Sequence, residues 1–200
     1  MISTNVQPGD AVEHRGIVVA PLFPRHDPAA NYVTLDDALP RGLHITEIDS
    51  AGSVPELVVQ NPLDRRVLLY DGEELVGAKQ NRILNVSVLV EAKSALKIPV
   101  SCVEQGRWSQ SSPSFRSGSH VSHVHLRRLK AEAQAARPME PGIAQSHVWG
   151  ELRERMVDMS ASSRTGASAD LYRSRDRDIR ALEEAFPITP GQCGAFLWAR

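Results

Sequence analysis

Short apolar segments recur about every ten residues along the first half of the chain. They occupy residues 16–23, 43–48, 57–60, 67–70 and 83–90, and Asn-Pro and Asp-Gly turn signals separate several of them. Connections this short fit antiparallel strands, because a parallel crossover needs a dozen residues or more. The spacing therefore predicts an antiparallel sheet or sandwich over residues 10–106, interrupted by a helical turn at 35–39.

One further strand is predicted at residues 96–104. Side chains alternate across a strand, so Leu96, Ile98, Val100 and Cys102 fall on one apolar face. This pattern places Cys102 in the core as a structural thiol. Glu104 continues the same face at the end of the strand, where its carboxylate would line the mouth of a cleft.

The second half of the chain has a helical pattern. Residues 109–120 are rich in Ser and Gly and predict a loop. Residues 122–186 carry apolar side chains at helical spacing and predict two to three helices. Residues 191–198 predict a last strand. The expected fold is one α+β domain over residues 1–200: a mostly antiparallel sheet or sandwich, covered by these helices and completed by the C-terminal strand.

Composition excludes several classes of protein. No apolar run approaches the roughly 18 residues of a membrane span, and the N-terminus lacks a signal-peptide pattern, so a cytoplasmic protein is expected. Residues 107–200 carry fourteen basic and ten acidic residues, but the charges alternate in sign. Alternation is typical of a solvated helix face, so no nucleic-acid partner is predicted. The two cysteines form no CxxC pair.

The densest polar segment is residues 71–85, where three carboxylates, one Lys, one Arg and three carboxamides surround two glycines. Lys79 and Arg82 have the chemistry to contact phosphate. Gln80 and Asn81 would reach hydroxyls or base edges. An exposed hairpin made of turn-forming residues is the alternative interpretation.

Candidate catalytic groups lie in this segment and at the end of the next strand. Glu74 and Glu104 are the candidate acid and base, since hydrolysis commonly uses two carboxyls, one with a raised pKa. Glu73 is a candidate ligand contact. Arg107 and Trp108 follow Glu104 and would clamp a phosphate and stack on a base. The alternatives are surface glutamates and a Trp that plugs the end of the core.

No metal or cofactor is predicted. His120, His123 and His125 share no single helical or extended face, so they are expected to be surface histidines. The chain contains no GxGxxG, P-loop, HExxH or GxSxG pattern.

Two segments carry a family resemblance. Leu69-Tyr-Asp-Gly-Glu-Glu-Leu-Val-Gly-Ala-Lys-Gln-Asn-Arg-Ile-Leu-Asn85 and Ile98-Pro-Val-Ser-Cys-Val-Glu-Gln-Gly-Arg-Trp108 resemble a domain family of unknown function associated with ADP-ribosylglycohydrolases and rhodanese-phosphatase proteins. Weaker similarity extends through Gln145–Trp149 and Phe186–Gly194. Members of the family continue past the last strand, so the resemblance leaves open whether this chain is a truncated member.

The resemblance implies a ligand class and leaves the reaction open. It places the chain in the neighbourhood of ADP-ribose, NAD and phosphate chemistry, and assigns no catalytic residues. The first hypothesis is that the chain binds or processes an ADP-ribose-like or NAD-like nucleotide, or a phosphorylated small molecule. The alternative is a non-enzymatic interaction or regulatory module that docks an ADP-ribose-processing protein. Whether the chain is an enzyme stays open at this point.

Overall fold

The computed structural model describes residues 5–26, 30–49, 52, 55–136 and 141–199. Its strands are β1 (Val6–Pro8), β2 (Val12–His14), β3 (Ile17–Pro24), β4 (Tyr32–Thr34), β5 (His44–Thr46), β6 (Glu56–Asn61), β7 (Arg66–Leu69), β8 (Glu73–Gly77), β9 (Arg82–Leu84), β10 (Val88–Val90), β11 (Ser94–Cys102), β12 (Phe115–Val121) and β13 (Gly194–Ala199). Its helices are α1 (Leu35–Ala38), α2 (Val124–Ala136), α3 (Pro141–Asp158), α4 (Ser168–Arg173) and α5 (Asp176–Ala185), with a 3₁₀ turn at Leu39–Arg41. The mixed α+β prediction is confirmed.

The chain divides into two compact units. The terminal unit comprises Met1–Ala30 and Arg175–Arg200, and the central unit comprises Asn31–Ser174. In the terminal unit, β3 pairs antiparallel with β1, β2 and β13. The prediction of a last strand that joins a sheet is confirmed, because β13 pairs with β3 from Gly194 to Ala199.

The central unit contains two sheets. Six antiparallel strands lie in the order β12-β8-β9-β11-β6-β5, and three strands lie in the order β10-β7-β4. The pair β4–β7 is parallel. This crossover contains α1, the 3₁₀ turn, β5 and β6, so it has the length that a parallel connection requires. The predicted helical turn at 35–39 is confirmed by α1 and the 3₁₀ turn, which ends at Gly42 with φ of 104°.

Both faces of the six-stranded sheet are covered. Leu84 belongs to a core that includes Leu57, Val67 and Ile98, whereas its neighbour Ile83 packs in a second cluster with helix residues. That second cluster contains Ile83, Val103, Leu126, Val148 and Leu152. Adjacent strand residues point to opposite faces, so α2 and α3 cover the face opposite the larger core. The polar segment around β8 and β9 therefore lies inside a layered structure.

Two local expectations differ from the structure. Residues 73–77 and 82–84 are central strands with buried side chains, so the exposed-hairpin interpretation is wrong. The second half of the predicted 109–120 loop is strand β12, which pairs with β8. Helix α3 begins at Pro141, because Pro suits the first turn of a helix. Within the described residues, no helix has the length and apolarity to cross a membrane.

Candidate functional site

The two motif segments meet in the six-stranded sheet. Strands β9 and β11 pair in register at Arg82 and Cys102. Beyond the strand ends, the backbone N–H of Val103 donates to the carbonyl of Asn81 at 3.0 Å. The Gln80 amide donates to the carbonyl of Glu104 at 2.9 Å. Residues that are more than twenty positions apart in the sequence therefore share one polar cluster.

Glu74 is the most perturbed acid of this cluster. Its side chain is 3 % exposed, and its Oε1 accepts a hydrogen bond from the Asn81 amide at 3.4 Å. Burial raises the pKa of Glu74 to about 7, opposed by the Asn81 hydrogen bond and further raised by the negative charge of Glu104. A carboxyl with this pKa exchanges a proton near neutral pH, as a general acid or base must.

Glu104 lies in a different environment. Its Oε2 accepts from Arg107 Nε at 2.8 Å and from Arg107 Nη2 at 2.7 Å. Its Oε1 accepts from the Thr165 hydroxyl at 3.1 Å. Glu104 is thus bonded to a guanidinium and a hydroxyl, whereas burial favours the neutral form of Glu74. The two carboxyls therefore have separate environments of the kind that assign acid and base roles.

Asn81 connects the two carboxyls. Its side-chain amide donates to Glu74, and its backbone N–H donates to Glu104 Oε2 at 3.3 Å. Its Oδ1 accepts from Arg107 Nη2 at 3.0 Å and from the Gly77 N–H at 3.3 Å. Replacing the Asn81 side chain would therefore remove one hydrogen bond each from Glu74, Arg107 and the Gly77 N–H, while the backbone bond to Glu104 would remain.

Arg107 holds the site together instead of reaching outwards. Besides the contacts to Glu104 and Asn81, its Nη1 donates to the carbonyl of Ala78 at 2.8 Å and to the carbonyl of Ser109 at 3.0 Å. It also donates to the Ser111 hydroxyl at 3.1 Å. The guanidinium is thus engaged on every edge by protein groups. This arrangement differs from the phosphate clamp expected from the sequence.

A serine loop, Ser109–Ser114, covers the turn between β8 and β9. The Ser111 N–H donates to the Ala78 carbonyl at 2.9 Å, and the Ala78 N–H donates to the Ser112 hydroxyl at 2.9 Å. Gly77 and Ala78 have φ of 134° and 43°. A left-handed alanine is strained by about 1–2 kcal/mol, and a Cβ at Gly77 would lie 2.5 Å from the Ser112 hydroxyl. The loop therefore packs against an unusually tight turn.

Arg82 is the basic residue at the centre of the site. It is fully buried, and its Nη1 donates to Gln80 Oε1 at 2.6 Å and to the sulfur of Cys102. Burial raises the pKa of the Cys102 thiol, opposed by the Arg82 charge. The expectation that Cys102 is a buried core thiol is confirmed.

Trp108 and Lys79 lie at the exposed side of the cluster. The Trp108 side chain is 49 % exposed, so the interpretation that it plugs the core is wrong. The ammonium of Lys79 lies 5.6 Å from the centre of the Trp108 ring, and the guanidinium carbon of Arg82 lies 5.5 Å from it. Two cations therefore flank an accessible aromatic surface.

Glu73 stands apart from this cluster. It neighbours Glu74 in β8 and therefore points to the opposite face of the sheet. Its Oε2 accepts from the backbone N–H of Tyr70 at 2.8 Å, and burial raises its pKa. Hydrogen bonds and ring contacts link the other expected site residues into one network: Glu74, Lys79, Gln80, Asn81, Arg82, Glu104, Arg107 and Trp108. Within it, Arg82 pairs with Leu75 and lies on the face of the sheet opposite Glu74, which pairs with Ile83.

Several residues of the site were not identified from the sequence. Thr165 reaches Glu104 across 61 positions, and the Gln145 amide bonds both backbone groups of Cys102, at 2.7 and 2.9 Å. The charges of Arg116 and Asp170 act on Glu74. Each of these residues reaches the site through long-range folding. Gln145 lies in a segment of weaker family similarity, which assigned it no role, and no local pattern marks the other three.

Metal ligation has no support in the described part of the chain, where no group of His, Cys, Asp and Glu residues is arranged to hold an ion. His123 and His125 contact opposite oxygens of Glu151 at 3.5 and 3.4 Å. Burial lowers the pKa of His123, and the charge of Glu151 opposes this shift. These histidines thus pair with a glutamate of α3.

Two clefts of 410 and 470 Å³ open on other parts of the described surface. The first is lined by Asp71, Asn85, Val86, Ser87, Ala131 and Ala135, and the second by Gln60, Asn61, Pro62, Lys93, Ser94 and Ala95. Near the first, the fully buried ammonium of Lys130 donates to Asp71 at 2.8 Å and to the carbonyl of Leu84.

Comparison with known proteins identifies a family. The model for the ARG and Rhodanese-Phosphatase-superfamily-associated Protein domain matches residues 5–200. The resemblance noted from the two motifs is thereby confirmed over nearly the whole chain. The family name links these domains to ADP-ribosylglycohydrolase-associated and rhodanese-phosphatase-associated proteins. Searches of curated proteins and of solved structures each gave no match.

Proposed function

We propose, because the chain belongs to the ARG and Rhodanese-Phosphatase-superfamily-associated Protein family, that its buried polar cluster binds and processes an ADP-ribose-like or NAD-like nucleotide. The observation that carries this proposal is Glu74, a carboxyl with a pKa of about 7 beside a carboxylate held by Arg107. Strongly perturbed acids in polar clusters are characteristic of catalytic sites. The family name supplies the class of ligand.

The reaction proposed is hydrolysis of a glycosidic or ester bond of the nucleotide. Glu74, protonated, donates its proton to the leaving group, and a water molecule adds to the carbon or phosphorus atom at which the bond breaks. Glu104, held by Arg107 and Thr165, accepts the proton that this water releases. The two carboxyls thus account for both proton transfers: Glu74 supplies the proton of the leaving group, and Glu104 takes the proton of the water.

Binding uses the groups at the exposed side of the site. Lys79 contacts a phosphate, and Trp108 stacks on a ring of the ligand. Gln80 and Asn81 contact ribose hydroxyls. Arg107 acts as a positioning residue, because its N–H groups already hold Glu104, Asn81 and the serine loop.

Access to Glu74 requires movement of the serine loop. Glu74 is only 3 % exposed, so a ligand reaches it when Ser109–Ser114 lifts from the turn at Ala78. Lifting the loop breaks the hydrogen bonds that Ser109, Ser111 and Ser112 make with the 78–79 turn and with Arg107. Lids of this type open on the microsecond to millisecond scale and exclude water when closed.

The alternative function is a module that docks an ADP-ribose-processing protein. The observation in its favour is the exposed ring of Trp108, since Trp and Arg are frequent anchors of protein interfaces. The buried acid at Glu74 favours the first proposal, because docking gives no reason to retain a neutral carboxyl below the surface.

The experiment that tests the proposal compares two glutamate variants. The parent chain, Glu74→Gln and Glu73→Gln are each incubated with ADP-ribose, NAD, AMP and ribose 5-phosphate. Thermal shift measures binding and chromatography measures products. A ligand at 100 times its Kd adds roughly 2.7 kcal/mol of stability. Loss of a general acid lowers the rate by roughly 10²–10⁴-fold.

The expected result is that one nucleotide stabilises all three proteins, while only the parent and Glu73→Gln form product. Glu73→Gln is the matched control, because it removes the adjacent carboxyl on the opposite face of β8. If Glu74→Gln forms product as fast as the parent, Glu74 is not the general acid. If no compound changes the melting temperature, the nucleotide proposal fails and capture of a protein partner becomes the next experiment.

A further inference from the structure

Three buried polar atoms beside the site lack hydrogen bonds. They are Nε and Nη2 of Arg82 and Oε2 of Glu47, none of which has a partner among the described residues. The Arg82 side chain is fully buried, and its Nη2 lies 4.0 Å from Glu47 Oε1, too far for a hydrogen bond. Buried polar groups are almost always paired. A shared edge with three unpaired atoms therefore indicates a ligand-binding function.

The surroundings leave this edge as the one that meets a ligand. Gln80 Oε1 and the sulfur of Cys102 accept hydrogen bonds from the other terminal nitrogen of Arg82, Nη1. Gly52, with φ of 79°, lies beside Lys79 and Glu47, and a Cβ there would lie 3.1 Å from Lys79 Cδ, 3.4 Å from Lys79 Nζ and 3.5 Å from Glu47 Oε2. A side chain at position 52 would therefore crowd both charged groups.

We propose that Arg82 and Glu47 recognise a primary carboxamide attached to a planar heterocycle, which stacks against Trp108. This inference rests on the proposed nucleotide function and identifies the part of the ligand that the chain recognises. It favours an NAD-like ligand, whose nicotinamide ring carries such a group, over ADP-ribose, which lacks it.

The count of donors and acceptors selects the carboxamide. Its oxygen has two lone pairs, which match the N–H groups on Nε and Nη2 of Arg82, and its nitrogen donates to Glu47. A carboxylate or phosphate would also satisfy Arg82 but would face the negative charge of Glu47. The ring nitrogen of adenine offers one lone pair for two donors. Among these groups, the carboxamide alone satisfies all three atoms.

Trp108 provides the stacking surface and the entrance. Its ring lies over the Arg82 guanidinium, with 5.5 Å between the guanidinium carbon and the ring centre. A planar ligand bonded edge-on to Arg82 extends along the same ring. Because Trp108 is 49 % exposed, it is the covering group that can swing aside to admit the ligand.

The test compares nicotinamide with nicotinic acid, which has nearly the same shape but carries a carboxylate. Saturation-transfer NMR measures the affinity of each compound for the parent chain, Glu47→Gln, Trp108→Ala and Trp198→Ala. We expect the parent to prefer nicotinamide by about tenfold or more. Glu47→Gln, whose amide can donate to a carboxylate, should lose most of that preference.

The tryptophan variants test the stacking surface. Trp108→Ala should bind nicotinamide about tenfold more weakly, because base–aromatic stacking contributes this order of affinity. Trp198→Ala, which removes a comparably exposed tryptophan of the terminal unit, should bind like the parent. Equal loss of binding in both variants would overturn the assignment of Trp108.

Failure of this inference differs from failure of the proposed function. If ADP-ribose binds as tightly as NAD and nicotinamide does not bind, the carboxamide site is overturned while the nucleotide function stands. A preference for nicotinic acid would make Arg82 an oxyanion contact and also overturn the inference. If ADP-ribose, NAD and nicotinamide all fail to bind, the nucleotide function and the carboxamide site are both contradicted.

Discussion

At the scale of the residue, Glu74 is held in an environment that favours its neutral form. Its side chain is buried, and its hydrogen bond to the Asn81 amide at 3.4 Å is long for a charged acceptor. Burial therefore outweighs the hydrogen bond, and the pKa rises from 4.5 to about 7. The stability of the protein must then depend on pH through this residue.

Glu74→Gln should stabilise the protein at pH 8 and not at pH 4. Between pH 4.5 and 7 the unfolded carboxyl ionises while the folded one stays protonated, so the free energy of unfolding falls as pH rises. Above pH 7 the full penalty is about 3 kcal/mol. Urea denaturation of the parent and the variant at pH 4 and pH 8 measures this difference in the free energy of unfolding. If the variant is more stable by the same amount at both pH values, the raised pKa of Glu74 is contradicted.

The buried pair of Lys130 and Asp71 gives a second prediction at this scale. Lys130 is fully buried, whereas the Asp71 side chain is 24 % exposed. Asp71→Asn leaves a buried ammonium without its counter-charge and should lower the free energy of unfolding by about 3 kcal/mol. Lys130→Met removes the buried charge and leaves Asp71 partly in water, so it should cost less. Denaturant unfolding compares them, and the reverse order would contradict this account.

At the scale of the element, β12 presses against β8 beside Glu74. A Cβ at Gly118 would lie 2.8 Å from the Cβ of Glu74 and 3.0 Å from its carbonyl oxygen. Gly118 thus allows the edge strand to close over the acid. The Ser- and Gly-rich composition of residues 109–120 predicted a loop, but the glycine serves here as a close-approach residue in a strand.

Gly118→Ala should therefore destabilise the protein, by about 1–3 kcal/mol, because the strand must move away from Glu74. Gly150→Ala is the matched control: Gly150 lies inside α3 with no atom within 4 Å of an added Cβ. Alanine there should stabilise the helix by up to about 1 kcal/mol. Thermal unfolding measures both changes, and changes of the same sign would contradict the packing described.

Element types were predictable where the pattern was strongly periodic. The strands around Val18, Leu57 and Leu68, and the helix at 124–136, follow from apolar spacing. Strand β8 was missed because Asp71-Gly-Glu-Glu has the composition of a turn. Its buried glutamate conflicts with the usual exposure of this residue. Local propensity and tertiary burial disagree at this strand, as is common at functional sites.

At the scale of the whole molecule, the site joins segments that only the fold brings together. The two motifs suggested a shared site, and their meeting follows from the pairing of β9 with β11. Thr165, by contrast, comes from a segment with no distinctive pattern, and Glu47 comes from a segment whose pattern predicted a strand but no site residue. The division into a central unit and a terminal unit built from both chain ends also has no local signature, because chain-end pairing depends on long-range contacts.

The proposed chemistry requires that one carboxyl of this cluster titrates near neutral pH. Carbon-13 NMR of glutamate side chains, recorded from pH 3 to pH 9, measures the pKa of each carboxyl directly. One glutamate should have a midpoint of about 7, and this signal should be absent from Glu74→Gln. If every glutamate titrates near its ordinary value of about 4.3, Glu74 is an ordinary acid and the proposed acid–base chemistry is contradicted.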